Sequence, residues 1–204
     1  MTRTAWSLGV LLFCLLAAPV TAQDSMLGLP LVLRDGGWAR YVGNTPAGSA
    51  TFVFKVGAHD THEGQRGRWL LLEIEVPGTG RVLFEFLVKG KVFTADQVLH
   101  TRVSVPGRPP QETKDAFANP ERPGVWKPKL LRETTAKVAG RELPVTEYSF
   151  PAGLTAAWSP EVPGVGLVEV TGPEPFQLVA FGVGGDPWKG MTGRSHWPAP
   201  PVAK

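Results

Sequence analysis

Period-two alternation of apolar and polar positions dominates residues 38–183, and that period places alternate side chains on opposite faces of a strand. In 49–56, Ala50, Phe52, Phe54 and Val56 share one face, against Thr51, Val53 and Lys55. In 67–76, Trp69 and Leu71 oppose Leu70, Leu72, Ile74 and Val76; in 81–88, Val82, Phe84, Phe86 and Val88 oppose Arg81, Leu83, Glu85 and Leu87. Pro77-Gly78-Thr79-Gly80 between the last two is a turn signal, so they are expected to form a hairpin. Weaker alternation predicts strands over 38–42, which opens the sheet, and over 98–105, 131–138, 142–150, 154–158, 165–170 and 176–183, with Ala139-Gly140-Arg141 as a second hairpin turn.

These segments predict a mainly β chain: a curved antiparallel sheet, or unclosed barrel (half-barrel), of about ten strands with few short helices. Gly28 and Pro30 limit 23–32 to a turn or two of helix, 94–99 offers a helical turn after Thr94, and 111–119 offers another. Residues 107–129 hold several prolines and read as a long loop with Val125 and Trp126 as a local anchor; 184–204 reads as a Pro-rich tail. The expected organisation is a leader over 1–22, one β domain over 23–183 and that tail.

The leader follows from the first 22 residues. Arg3 precedes an apolar run of about 14 residues, 5–18, which is short for a membrane span. Pro19 and then Val20-Thr21-Ala22 put small residues where a signal peptidase cuts. A periplasmic or secreted protein is expected, with no transmembrane span after cleavage. Cys14, the one cysteine, falls inside the leader, so the exported chain has no thiol for a disulfide, a thiolate nucleophile or a metal.

Composition narrows the classes. The 24 glycines and 20 prolines in 204 residues disfavour long helices. A formal charge of +3 is too small and too dispersed to suggest nucleic acid. No G-x-S-x-G elbow, Walker loop or complete G-x-G-x-x-G occurs. The densest polar cluster is His59-Asp60-Thr61-His62-Glu63. Its residue types could hold a divalent metal for hydrolysis, but its glycine-rich flanks suit a solvated hairpin loop better. His100 and His196 read as surface residues. Glu73, Glu75 and Glu85 lie near one another across the predicted hairpin, as a glycosidase pair would, and read as solvent-facing charges with Arg68 and Arg81 nearby.

Aromatic residues carry more information. Phe52, Phe54, Trp69, Phe84 and Phe86 fall in three neighbouring strands, and Trp158 in a later one. They can fill a core, or line an apolar trough for an acyl chain or a partner's apolar segment. These six are the candidate ligand-binding residues; no catalytic or metal-ligating residue and no cofactor is assigned.

Gly37-Trp38-Ala39-Arg40-Tyr41, Gly67-Arg68-Trp69-Leu70-Leu71-Leu72-Glu73, the Pro-rich middle and 158–168 (W-S-P-E-V-P-G-V-G-L-V) together resemble uncharacterised secreted proteins of Gram-negative bacteria. Their layout is similar to that of periplasmic lipoprotein carriers of the LolA/LolB type. That resemblance implies an unclosed antiparallel barrel cupping an acyl chain, although no long helix is predicted here to line the cup. It carries over no functional residue. The expected function is an exported, non-enzymatic binding or carrier protein for an apolar ligand, lipid or lipoprotein acyl chain. The alternative is an envelope structural or protein-interaction module, and a metal-dependent hydrolase built on His59, His62 and Glu63 ranks third.

Overall fold

The computed structural model describes residues 27–45, 48–76, 80–105, 109–112, 127–173 and 175–184. The expected leader, most of the 107–129 loop and the tail beyond Gly184 lie outside the described residues.

Eleven strands form one antiparallel sheet: β1 (Gly37–Thr45), β2 (Gly48–His62), β3 (Gln65–Val76), β4 (Gly80–Val88), β5 (Val98–Ser104), β6 (Gln111–Glu112), β7 (Lys129–Val138), β8 (Arg141–Ser149), β9 (Thr155–Trp158), β10 (Leu167–Thr171) and β11 (Phe176–Val183). Their order is β6-β5-β4-β3-β2-β1-β11-β10-β9-β8-β7. Two meanders therefore lie side by side, joined where β1 pairs with β11 from Gly37↔Val183 to Gly43↔Phe176. The sheet is not closed into a barrel, and β6 and β7 are its edges among the described residues. It is strongly curled in its second half, because β7 touches β11 across three intervening strands.

The mainly β, unclosed antiparallel architecture agrees with the alternation. Three local expectations are corrected. β1 does not open the sheet but occupies its middle, a placement set by contacts more than 130 residues apart. The polar 57–67 stretch is not a loop: β2 and β3 run through it and meet in a two-residue turn, Glu63-Gly64, at φ 48° and 76°. Positive φ at both turn residues matches the right-handed twist of the flanking strands. Gln111 and Glu112 add a short edge strand where a helix was expected, while the helical turn after Thr94 forms at Ala95–Gln97.

The concave face holds the main core. Ala39, Tyr41, Phe54, Val56, Leu70 and Phe86 line it from the first meander, and Leu143, Val145, Ala156, Val170, Leu178 and Phe181 from the second. Between them runs a strap, residues 27–33, whose Leu27, Leu29 and Leu31 are buried in the same cluster. The strap bonds to both halves of the molecule. Leu31 N–H donates to Lys91 O at 2.7 Å after β4, and Val32 exchanges two bonds with Gly164 before β10. Trp158 Nε1 donates to Pro30 O at 3.0 Å. The indole lies so close to Gly166 (φ 72°) that any Cβ there would overlap it, so glycine is required.

Tyr41 ties the centre together. Its ring meets Phe54 and Phe176 edge-on at 5.9 and 5.6 Å, and its hydroxyl donates to Leu167 O at 3.0 Å. Full burial pushes the phenol far above its ordinary range, so it remains a donor. Tyr41→Phe leaves the Leu167 carbonyl without that partner. It should cost about 1–2 kcal/mol in urea unfolding with an unchanged m-value.

Candidate functional site

Among the described residues, the backbone bonds of the strap lie at one end of the concave face. The strap lies over the Val56, Leu70, Phe86 and Val88 end of β2–β4, with Phe93 alongside. Four residues further along β3, about 13 Å away at strand rise, the same face carries Ile74, paired with Phe52 on one side and Val82 on the other. Leu72 pairs with Phe84, and Phe84 with Val103. All six of these residues are only partly buried. The result is a contiguous apolar surface at the far end of the concave face, floored by strands and flanked by Phe176, which packs at 6.2 Å from Phe52.

The six expected ligand-binding residues divide across this plan. Phe52 and Phe84 belong to the partly buried surface. Phe54 and Phe86 are buried in the core beside it, Phe86 stacked at 6.3 Å on Phe84 and edge-on to Phe93 at 5.1 Å. Trp158 holds the strap. Trp69 lies on the opposite, convex face, in a separate buried cluster with Leu71, Leu83 and Leu87. The odd spacing between Trp69 and Leu70 or Leu72 carries that division. Leu72, Ile74, Val82 and Val103 were not among the expected residues, although their positions in the alternation put them on the Phe84 face.

The convex face carries most of the polar chemistry. Trp69 Nε1 donates to Asp60 Oδ2 at 3.1 Å, and the Arg102 guanidinium lies 5.5 Å over the indole. His100 meets Trp69 edge-on at 6.0 Å and stacks on His62 at 4.6 Å. His59 and His62 do not converge: His62 stays on this face, while His59 points the other way, its Nε2 accepting from Arg68 at 3.2 Å. Arginine only donates, so the His59 proton sits on Nδ1 and is given to Gly67 O at 3.3 Å. Among the described residues no three His, Cys, Asp or Glu are grouped closely enough to hold a metal ion.

The carboxylates are engaged with cations. Glu73 meets Lys55 at 3.8 Å and Arg81 at 3.3 Å, and Arg81 reaches Glu75 at 3.5 Å. The solvent-facing reading is corrected for Glu85, which is 1% exposed and accepts from Arg102 Nε at 2.6 Å. Leu83 and Leu87 flank it on its own face and bury it. Burial pushes the Glu85 carboxyl above the usual carboxylate range, with Arg102 pulling the other way. Arg68, expected beside these acids, is on the opposite face with His59.

No helix among the described residues is long and apolar enough to cross a membrane. The chain matches no protein-family model, and no curated protein is significantly similar to it.

Arg102→Leu leaves Glu85 buried beside apolar neighbours. At pH 7 it should cost about 3–5 kcal/mol, the range for breaking a buried ion pair from one side. A carboxyl raised by folding binds its proton more tightly in the folded state, so stability is lost as pH rises and recovered as it falls. The deficit of the variant should therefore shrink between pH 7 and pH 5 in denaturant titrations.

Proposed function

We propose that the protein is an exported, non-enzymatic binding or carrier module for an apolar ligand such as a lipid or a lipoprotein's acyl chains, held at the open end of the concave face. The observation that carries this reading is the partly buried surface of Phe52, Leu72, Ile74, Val82, Phe84 and Val103 beyond the strap. Contiguous apolar area of this kind is where a soluble domain takes a ligand or a partner. Export rests on the composition of the first 22 residues and the resemblance to lipoprotein carriers on the chain's layout. Both are in keeping with such a ligand.

The test is uptake of a fluorescent fatty acid by the chain from Gln23 onward. Saturable binding is expected. Phe84→Ala should weaken it about tenfold, the effect of roughly 1.4 kcal/mol of lost apolar contact. Phe84→Asp should abolish it while the β-type circular dichroism persists. Folded protein that takes up no fatty acid would overturn the reading.

A second reading, an envelope interaction module, is favoured by β7. This edge strand is exposed over most of its length, with Leu130 and Leu131 55% and 50% exposed. Unpaired strand edges are sites for strand addition by another chain. The register shift between Leu130 and Arg132 blunts that edge, which ranks this reading second.

A further inference from the structure

A second concavity lies on the other side of the strap end. It is a cleft of about 460 Å³ between the β2–β3 hairpin and the segment after β4, and its cations are Arg66, Arg68, Lys89 and Lys91. Leu33 and Val88 supply its apolar wall. Arg68 is the fixed point. It is buried, and the register shift in β2 between Val56 and His59 brings two acceptors to it: Nε donates to Gly57 O at 3.1 Å and Nη1 to His59 Nε2 at 3.2 Å. Those bonds aim Nη2 at Asp35, a carboxylate on the turn before β1. Asp35 is 78% exposed at its side chain, so it holds Arg68 from the solvent side. Burial disfavours the Arg68 charge and pulls its pKa down, a cost that an anion bound beside it offsets.

Charge in the cleft is unbalanced. Among the described residues, Asp35 pairs with Arg68, and Asp96 lies within the field of Lys89. Arg66 and Lys91 form no ion pair among the described residues. Among the described residues the four cations of the lining thus outnumber these two carboxylates, a positive balance that suits an oxyanion. The rim is also held in place: Leu31 N–H bonds Lys91 O, and Lys89 N–H bonds Gln97 O at 2.9 Å.

We propose that this cleft is a phosphate-binding site, taking inorganic phosphate or a phosphate ester, with Asp35 standing in for the anion on Arg68 when the site is empty. Arg68 supplies an oriented N–H, and Arg66, Lys89 and Lys91 supply charge from the rim. The volume exceeds that of a bare phosphate ion and leaves room for a small esterified group against Leu33 and Val88. This site is separate from the open apolar end and does not depend on it.

The test is calorimetric titration with inorganic phosphate and with glycerol phosphate, alongside sedimentation with vesicles of phosphatidylglycerol or of phosphatidylcholine alone. Saturable, salt-sensitive binding of at least one phosphate species is expected. Asp35→Asn removes the competing carboxylate and should tighten it about threefold or more, a gain that unfolding cannot mimic. Arg66→Ala with Lys91→Ala, both at exposed positions, should weaken it at least tenfold. Binding of the soluble species identifies a free phosphate ligand. Binding confined to phosphatidylglycerol vesicles, and sensitive to the same substitutions, identifies a lipid headgroup. No saturable binding to wild type or Asp35→Asn, or vesicle binding indifferent to Arg66 and Lys91, overturns the site whether or not fatty acid is taken up.

Discussion

Burial of Leu27, Leu29 and Leu31 against the concave face is the interaction on which the architecture depends. A sheet of eleven strands that curls without closing leaves an apolar interior with no second sheet or long helix among the described residues to cover it. The strap supplies the missing layer at one end. Each leucine contributes about 1.5–3 kcal/mol when fully buried, and the strap's backbone bonds reach Lys91 in one meander and Gly164 in the other. One short segment thus fills the core and adds a second cross-link between two halves already joined by the β1–β11 ladder and by the contacts of Tyr41 and Phe52 with Leu167 and Phe176. The chain has no cysteine beyond Cys14, so no disulfide helps this task in 23–204.

The strap also coincides with a division of the concave face by burial. Where it lies, the aromatic residues are core: Phe54 and Phe86 pack under or beside leucines. Further along the same strands and the same face, Phe52 and Phe84 are only partly buried. On the strap's far side the turn into β1 brings Asp35 to Arg68. An apolar surface and a basic cleft therefore lie at opposite ends of the β2–β4 strands, set by where seven residues of chain happen to cross them.

The central strands were legible because each buries two different faces, and period two states that directly. The Ala139-Gly140 hairpin turn, at φ 50° and 78°, was legible from its glycine. The polar stretch from His59 to Arg66 was not, because both faces carry hydrophilic side chains and the alternation vanishes while the backbone ladder continues. Pairing of β1 with β11 leaves no local trace, since the partners are joined through the whole intervening chain. Candidate site residues were half legible. Aromatic content pointed to β2–β4, but the face of Trp69 relative to Phe84 needed the strand register, and the depth of Phe54 and Phe86 needed the strap. Glu85 offered a signal that a charge count overlooks: Leu83 and Leu87 lie on its own face, so solvent was never its neighbour.

Amide hydrogen exchange of the strap tests the account most directly. The N–H groups of Leu31 and Val32 donate at 2.7 and 2.8 Å to opposite halves of the molecule. They should be protected to nearly the same degree as Ala39 and Tyr41 in the central ladder, rising with global stability. Exchange at Leu31 and Val32 at the rate of an unstructured peptide, with the central ladder still protected, would show that the strap does not seat and that the concave face is open along its full length.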